Sequence, residues 1–588
     1  MWKKTYFKKF IHLVVAFILL MSLLPGCSSG NKNTGAGTST AQDSQTASVA
    51  GQYPIVDKPL TLTMWRTLSK ASAVMKDFNE MAAFQEAEKA TGIHIEFKHP
   101  PAGQEKDQFN LMVASNDMPD IVWAGHFKSD SNALANELII PLNDLVDKYA
   151  PNYKKILDSF PNLKKSMYTD DGKLTALAYA QPYMENVLTE GYMIRKDWLD
   201  KFNLAIPETI DDWEKVLTAF KEKDPNGNGK PDEIPFDGAK GKAFYSFGYA
   251  WGIKPYDYFI EGGHEKGKVK FGPIEPAFKE YIVKMNEWYK KGLINKDYLT
   301  SDDKMRDANM TSNRTGAFFG ALSGSLGNYT GLMSKDPNFV LWPVAWSKLS
   351  TNGKIYGDNG RALTLNGGKG YITAANKHPI ETIRWFDWGY SKEGQLAFNF
   401  GKEGVSYTMK DGAPVYSDEI MKNPKGLSTN NAIAKYCLAN MEGAFLQHPA
   451  YLEQIAGSTP AQRQALRVWG KGWTDSAEQN LAMPPFSLTD AEQTSDASRS
   501  TDIKTYTDEM IDKFIIGQEP LANYEKFVAQ LKAMGINEGI KVRQDAFERW
   551  KKRGNIVFQS KLESARLNYK NATLITDKGL QSLDPDLK

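Results

Sequence analysis

A short run of oxygen-bearing side chains in the middle of the chain has the spacing of a cation site. Asp224, Asn226 and Asn228 alternate along a turn that ends in Gly229, and two carboxylates follow. Alternate oxygens on such a turn point at one centre, which suits the many oxygen ligands that Ca²⁺ takes. The candidate ligands are Asp224, Asn226, Asn228, Lys230 through its backbone carbonyl, Asp232 and Glu233. We therefore predict a calcium ion in this loop.

The loop is not an EF-hand, because its acidic residues fall at positions 9 and 10 rather than at position 12. The alternative interpretation is a plain turn, since Asp, Asn, Pro and Gly dominate turns in general. The paired carboxylates Asp232 and Glu233 exceed what a turn needs, which favours the calcium site.

The segment before the loop has the pattern of an amphipathic helix. Thr209 can serve as its N-cap, with Asp212 three residues later in a variant of the capping box. The apolar residues at helical spacing are Ile210, Trp213, Val216, Leu217 and Phe220. The loop therefore hangs from the end of a packed helix, and we expect the calcium ion to be structural.

Residues 195–235 resemble a signature of large sugar-binding lipoproteins that serve ABC importers, relatives of the alginate-oligosaccharide binding proteins. Every position of the family's D-x-N-x-N-x-K-x-D-E loop is matched here. Segments near residues 118–123, 138–151, 378–416 and 502–550 are also similar to solute-binding proteins of the maltodextrin-binding type. The resemblance implies that the protein binds an oligosaccharide in a cleft between two lobes. It also implies delivery to the permease subunits of an ABC importer, and a protein that acts as a monomer.

The N-terminal residues predict export and a lipid anchor. Four lysines between positions 3 and 9 precede an apolar run over 10–24, and Cys27 follows a small residue. This order is typical of a signal peptide, here 1–26, and it resembles a bacterial lipoprotein cleavage site. Acylated Cys27 would hold the protein on the extracellular face of the cell membrane. The alternative is a soluble secreted protein with an incidental cysteine.

Composition limits the partners and the covalent chemistry. Residues 27–53 are rich in Ser, Thr, Gly and Ala, which predicts a flexible linker. The formal charge is +2, and it falls to −2 without the four leader lysines, which argues against a nucleic-acid partner. Cys27 and Cys437 are the two cysteines, so a lipidated chain has no internal disulfide.

Strand and helix patterns alternate from Leu60 onward, which predicts an α/β fold with parallel strands. With the resemblance, the predicted architecture is a two-lobed periplasmic-binding-protein-like fold of class II. Each lobe is expected to hold a mainly parallel sheet flanked by helices, with extra helices near the C-terminus. The predicted division is 54–183 with 365–430 for the first lobe, 184–364 with 431–553 for the second lobe, and 554–588 as an extension without an assigned role.

Ligands of such sheets bind beyond the carboxyl ends of the strands. An aromatic ring can stack on the apolar face of a sugar, and Arg can pair with a carboxylate if the ligand carries one. The candidate ligand-binding residues are Trp65, Arg66, Trp123, His126, Tyr183, Tyr249, Trp251, Arg314 and Arg361. For any single Trp or Tyr, core packing is the competing interpretation.

Two other functional classes remain open at this level. An exported polysaccharide-degrading enzyme, a lyase or a glycosidase, could use a carboxylate pair from the many acidic residues. However, no GxSxG, HExxH, CxxC or P-loop motif is present, so we predict that the protein is not an enzyme. The third class is a purely structural surface lipoprotein.

Overall fold

The computed structural model describes residues 49–123, 126–127, 129–181, 190–238, 244–263, 267–358, 368–441, 443–456, 459–476 and 479–553. The predicted signal peptide, Cys27, most of the linker and the C-terminal extension lie outside the described residues, as do Tyr183 and Arg361. The described chain builds two four-stranded sheets, each with its own buried core.

The elements in chain order are as follows. The strands are β1 (Leu60–Trp65), β2 (Ile93–Lys98), β3 (Ile121–Trp123), β4 (Glu190–Arg195), β5 (Ile234–Asp237), β6 (Tyr258–Glu261), β7 (Lys268–Phe271), β8 (Thr315–Ala321), β9 (Leu341–Val344), β10 (Gly370–Ile372), β11 (Tyr407–Lys410) and β12 (Ala413–Tyr416). The helices are α1 (Ala82–Thr91), α2 (Glu105–Ala114), α3 (Asp130–Ala135), α4 (Asn143–Tyr149), α5 (Pro151–Ser159), α6 (Pro161–Met167), α7 (Lys196–Lys201), α8 (Ile210–Glu222), α9 (Pro276–Lys291), α10 (Asp303–Thr311), α11 (Asn328–Leu332), α12 (Pro379–Gly389), α13 (Lys392–Phe400), α14 (Asp418–Met421), α15 (Thr429–Tyr436), α16 (Pro449–Ala456), α17 (Pro460–Asp475), α18 (Asp490–Ile516), α19 (Tyr524–Ala533) and α20 (Ile536–Lys552).

The first sheet has the order β10–β3–β1–β2 and is mainly parallel, as predicted. β1 is parallel to both β2 and β3, and only β10 is antiparallel to its neighbour. Leu62 and Met64 alternate with polar neighbours along β1 and are buried, which is the period-two pattern of a strand. α1 then ends at Gly92, whose φ of 77° is a left-handed conformation that glycine adopts without strain.

The second sheet has the order β5–β8–β4–β9 and is mixed rather than mainly parallel. β5 and β8 are parallel, but β4 lies between β8 and β9 and is antiparallel to both. The prediction of a mainly parallel sheet is therefore wrong for this lobe. β4 is buried on both faces, so its residues are apolar whether it pairs in a parallel or an antiparallel way. The sequence pattern therefore does not reveal its direction.

α8 forms as the sequence predicts. The Thr209 hydroxyl accepts a bond from the backbone N–H of Asp212, and the Asp212 carboxylate accepts one from the backbone N–H of Thr209. The predicted apolar stripe of this helix is buried in the second core. The calcium loop thus follows a helix whose start and packing are both fixed.

Buried side chains from 55–180 and 371–451 form the first core, and those from 192–344 and 481–550 form the second. We call the surrounding residues the first and second lobes. A smaller cluster, which includes Trp469, covers the other face of the second sheet. The predicted boundary at 430/431 lies too early, because buried residues up to Tyr451 belong to the first core. α15 caused the error: its apolar residues pack on the first lobe, and a helix pattern does not name its partner.

The start of the described chain is attached to the first lobe. Arg384 Nη2 donates to the carbonyls of Val49 and Gln52 at 3.0 Å each, and Ile55 is fully buried. The linker predicted for 27–53 is therefore not free over its last residues. In the part of the chain that the structure describes, no helix combines the length and apolar character needed to span a bilayer.

Charged groups link the second lobe to the first. Arg549 of α20 donates from Nε to Asp170 Oδ2 at 2.7 Å and pairs with both oxygens of Glu492 on α18. Arg553 Nε donates to the other oxygen of Asp170 at 2.7 Å. Asp170 follows α6 on the first lobe, so we call these four residues the interlobe ion network.

Candidate functional site

The carboxyl ends of β1, β2 and β3 meet at one edge of the first sheet, where the start of β10 joins them. We call this the first edge. Trp65, Arg66 and Trp123 end the strands there, as the sequence predicts. The question is which of these side chains a ligand can reach.

Trp123 is a core residue and not a ligand platform. Its side chain is 0 % exposed and contacts rings from distant segments, among them Trp385 and Phe398. A Cβ atom placed on Gly443 would lie 2.6 Å from the indole, so the backbone packs tightly on this ring as well. The prediction that Trp123 binds ligand is wrong in this arrangement, because the sequence placed the residue at a strand end without showing what covers it.

Arg66 is also enclosed. Its side chain is 4 % exposed, and its guanidinium carbon lies 4.8 Å from the centre of the Phe78 ring and 4.3 Å from that of Trp123. Trp65 is buried against Phe109, with its indole N–H unpaired among the described residues. His126 is exposed at the same edge, with its ring centre 5.8 Å from that of Phe109.

A polar network lies at the first edge between the starts of α3 and β10. Asp130 Oδ2 accepts bonds from Thr175 Oγ1 at 2.6 Å and from Lys369 Nζ at 2.7 Å, and Oδ1 accepts one from the Tyr371 hydroxyl at 3.0 Å. Burial acts to raise the pKa of Asp130, but the Lys369 charge and the three hydrogen bonds outweigh it and lower the pKa. The carboxylate is thus a charged, held acceptor. Sequence reasoning missed it because its partners are up to 241 residues away.

The second sheet has a corresponding edge, where the carboxyl ends of β5, β8 and β9 meet the start of β4. We call this the second edge. The predicted ligand residue Tyr249 comes after β5 in the chain, and its side chain is only 3 % exposed. Its hydroxyl oxygen lies 3.4 Å from Asp358 Oδ2. Trp251 is half-buried and contacts Tyr281 of α9. Of these two predicted residues, neither offers a fully open ring face at the second edge.

Three half-buried aromatic side chains form a cluster with Tyr249 instead: Tyr245, Phe319 and Trp346. Ring centres lie 5.3 Å apart for Tyr249 and Trp346, and 6.1 Å apart for Phe319 and Trp346. Tyr245 lies 6.0 Å from Phe319. We call Tyr245, Phe319 and Trp346 the aromatic platform. Phe319 lies within β8 towards its carboxyl end and Trp346 follows β9, which is a signal that sequence reasoning could have used.

A second ion pair lies beside the platform. Lys254 Nζ is 3.0 Å from Asp358 Oδ2, the oxygen to which Tyr249 donates. Burial acts to lower the pKa of Lys254, but the charges of Asp358 and Asp257 raise it. The lysine therefore stays charged and held by its carboxylate.

Arg314 does not belong to either edge. It precedes β8, and its Nε donates to the Asp232 carbonyl at 3.0 Å. The predicted calcium loop precedes β5, which is parallel to β8, so Arg314 and the loop share the amino-terminal edge of the sheet. Arg314 therefore lies away from the two edges at which the ligand is expected. The loop itself lies at the edge opposite the aromatic platform.

The loop folds around its own oxygens. Asp224 accepts bonds from the backbone N–H groups of Gly227, Asn228 and Gly229 at 2.9–3.1 Å. The side-chain amides of Asn226 and Asn228 donate to Asp232 Oδ1. These bonds draw the predicted ligands together at one turn.

Glu233 is the unusual member of the loop. Both carboxylate oxygens are buried, and among the described residues neither meets a side-chain donor at hydrogen-bond distance. Burial raises the pKa of Glu233, and the charges of Asp224 and Asp232 raise it further. A buried carboxylate with few partners is costly, and a cation at this position would offset that cost.

The described residues contain no group of three or more His, Cys, Asp and Glu side chains placed to hold a metal ion. The predicted set has three carboxylates, Asp224, Asp232 and Glu233, and the structure does not bring these three close enough to form such a group. Two asparagine side chains and the Lys230 backbone carbonyl are the remaining predicted donors. The donor chemistry and the Glu233 carboxylate therefore fit Ca²⁺, which prefers carboxylate and amide oxygens.

Comparison with known proteins places these features in a family. Residues 71–396, more than half of the chain, match the family described as bacterial extracellular solute-binding protein. The chain is 32 % identical over 412 residues to the fructooligosaccharide ABC transporter substrate-binding protein FusA of Streptococcus pneumoniae serotype 4, which covers 68 % of this chain and 72 % of FusA. It is 27 % identical over 369 residues to lipoprotein LipO of Bacillus subtilis, which covers 60 % of this chain and 68 % of LipO.

Among solved structures, the alginate-binding protein AlgQ2, determined without calcium ion, is similar over 84 % of this chain and 100 % of its own. The identity is 28 % and the TM-score is 0.63. The two-lobed α/β fold class is thereby confirmed.

Proposed function

This chain belongs to the bacterial extracellular solute-binding proteins, and from that premise we propose that it captures an oligosaccharide for an ABC importer. The relatives support this: FusA is named for fructooligosaccharides and AlgQ2 for alginate. The observation within this chain that carries the proposal is the aromatic platform, whose half-buried rings cluster with Tyr249 at the second edge. Rings of this kind with polar groups beside them suit the apolar face and hydroxyl rim of a sugar.

The two lobes suggest how capture works. A ligand drives closure of two lobes only if it binds the closed arrangement better, which requires contacts from both. The first edge offers the Asp130 network and exposed His126, and the second edge offers the platform with Asp358. We propose that the sugar lies between these edges and that a monomer presents it to the permease subunits.

We expect Trp346→Ala to weaken oligosaccharide binding by about 1–3 kcal/mol, since buried aromatic anchors carry energies of this size in other interfaces. The first step is a thermal-shift screen over oligosaccharides, because a ligand at 100 times its Kd stabilises by about 2.7 kcal/mol. Calorimetry with the best ligand then compares wild type, Trp346→Ala and Trp251→Ala. Trp251 packs on α9 and serves as the matched control. Equal affinities for all three proteins would show that the aromatic platform does not contact the ligand.

We propose that the protein binds rather than cleaves its ligand. FusA is a substrate-binding protein by name, and the enzyme alternative rests on no motif in this sequence. Incubation of the best ligand with the protein, followed by chromatography, should return the ligand intact. Appearance of shorter or unsaturated products would favour the lyase or glycosidase.

We further propose that the loop at 224–233 binds a structural Ca²⁺. Asp224, Asn226, Asn228, Asp232 and Glu233 would supply side-chain oxygens and Lys230 its carbonyl. The support is the buried Glu233 carboxylate, which meets no side-chain donor among the described residues, and the position of the loop at the edge opposite the platform. Bound there, the ion would hold the turn between α8 and β5 and would neutralise the carboxylates.

We also propose that Cys27 carries acyl chains that anchor the protein on the extracellular face of the cell membrane, in keeping with the leader sequence and with the lipoprotein relative LipO. Cys27→Ser should leave the chain unacylated, so that it is released to the medium or kept at the membrane by an uncleaved leader. Metabolic labelling with a fatty acid and fractionation measure both. Normal labelling of the variant would contradict the assignment.

A further inference from the structure

The relatives leave the charge of the ligand undecided, because fructooligosaccharides are neutral and alginate is a polyuronate. The charged side chains of the two edges bear on this point. A site for an acidic sugar needs a cation, usually an Arg, whose donors are available to the sugar carboxylate.

The two described arginines that the sequence offered for this purpose do not present such donors. Arg66 is 4 % exposed between the Phe78 and Trp123 rings. Arg314 binds the Asp232 carbonyl at the opposite edge of the second sheet. A sugar carboxylate between the two edges would meet neither guanidinium.

Two lysines beside the edges, Lys369 and Lys254, are already paired with carboxylates. Lys369 is held by Asp130, which also accepts hydrogen bonds from Thr175 and Tyr371. A uronate could bind Lys369 only beside this carboxylate or by displacing it, and both cost energy because like charges repel and buried charges need partners. The pair as a whole carries no net charge.

The second edge repeats the arrangement. Lys254 is held by Asp358, which also accepts from Tyr249. Each edge thus offers a carboxylate acceptor and an ammonium donor within one pair, all half-buried. Hydroxyl groups can both donate to the one and accept from the other, whereas a carboxylate can only accept.

We infer that the ligand is an uncharged oligosaccharide, selected over uronate oligosaccharides by the Asp130–Lys369 and Asp358–Lys254 pairs. This inference rests on the proposed oligosaccharide-binding function.

The test compares ligands that differ only in charge. A panel of neutral fructo-, galacto- and gluco-oligosaccharides and of oligogalacturonates, three to five sugars long by design, is screened by calorimetry against the full-length protein. The best neutral ligand is then oxidised at a primary hydroxyl to its uronate. We expect the neutral form to bind and the uronate to bind at least about tenfold more weakly, a difference of about 1.4 kcal/mol.

Charge variants then link the selection to the named pairs. Asp130→Asn leaves Lys369 without its carboxylate. The ratio of the affinities for the neutral and uronate ligands should then fall by about tenfold. Asp358→Asn should act in the same direction at the second edge, which keeps the test available if one variant folds poorly. Asp418→Asn is the matched control, because that aspartate is exposed on α14 and pairs only loosely with Lys422 at 3.8 Å.

The outcomes distinguish failure of the proposed function from failure of the charge selection. If no oligosaccharide of either class binds, the proposed function itself fails. If oligogalacturonates bind more tightly than every neutral sugar, the function stands and the inference fails. If the ratio of the affinities for neutral and uronate ligands is unchanged in both Asp130→Asn and Asp358→Asn, these ion pairs do not select the ligand.

Discussion

Trp123→Ala is expected to lower the free energy of unfolding of the first lobe by about 3–5 kcal/mol, the usual loss for removing a buried Trp or Phe side chain. The indole fills the centre of the first core, where Phe84, Trp385, Phe386 and Phe398 contact it. The cavity would be hard to close, since these rings come from α1, α12 and α13 and hold one another. Urea unfolding followed by circular dichroism measures the loss.

The same variant separates a core role from a ligand role. Trp123→Phe keeps a ring in the core and should lose clearly less stability than Trp123→Ala. Trp346→Ala should weaken binding and should lower the free energy of unfolding less than Trp123→Ala does, because Trp346 is only half-buried. If Trp123→Ala unfolded like wild type but bound its sugar more weakly, the residue would be a ligand platform after all.

Glu233→Gln is expected to stabilise the calcium-free protein and to abolish its stabilisation by calcium. Burial raises the pKa of Glu233, with Asp224 and Asp232 adding to the effect. A raised carboxyl pKa means that the folded state binds the proton better than the unfolded state. Stability is therefore lost as the pH rises from the unfolded pKa of Glu, 4.5, through the higher folded value. Glutamine has no charge to bury and escapes this loss.

With calcium bound, the charge of Glu233 should stabilise the wild type instead of destabilising it. At 100 times its Kd the ion should add about 2.7 kcal/mol of stability, and chelation should remove it. Thermal melts at pH 7 with and without excess chelator measure both effects, and elemental analysis counts the metal. Glu222→Gln, at an exposed position on α8 close to the loop, is the control that should respond to calcium like wild type. A wild-type melt that ignores chelator, together with no bound metal, would defeat the calcium proposal.

Local rules account for the parts of the molecule that the sequence predicted well. The cap at Thr209, the apolar stripe of α8 and the turn at 224–229 each depend on residues within a few positions of one another. The strands β1 and β2 were likewise readable, because alternation of buried and polar residues is a property of the strand itself.

The parts that the sequence did not predict depend on partners far along the chain. Trp123 is buried by Phe398, 275 residues later, and nothing near Trp123 announces that ring. The platform joins Tyr245, Phe319 and Trp346 from three separate segments. Strand direction in the second sheet and the lobe to which α15 belongs were also set by distant packing. A position at the end of a strand therefore does not show whether a tryptophan is buried in the core or contacts the ligand.

The interlobe ion network has a consequence for how the protein responds to its surroundings. Asp170 lies on the first lobe and Arg549 on the second, so any rotation between the lobes changes the separations of these charges. Their attraction is screened by dissolved ions, with a screening length of about 8 Å at physiological ionic strength and less in concentrated salt. The balance between lobe arrangements should therefore shift with salinity. The affinity for an uncharged sugar would then still vary with the salt content of the medium, because salt weakens the attraction between the protein's own two lobes.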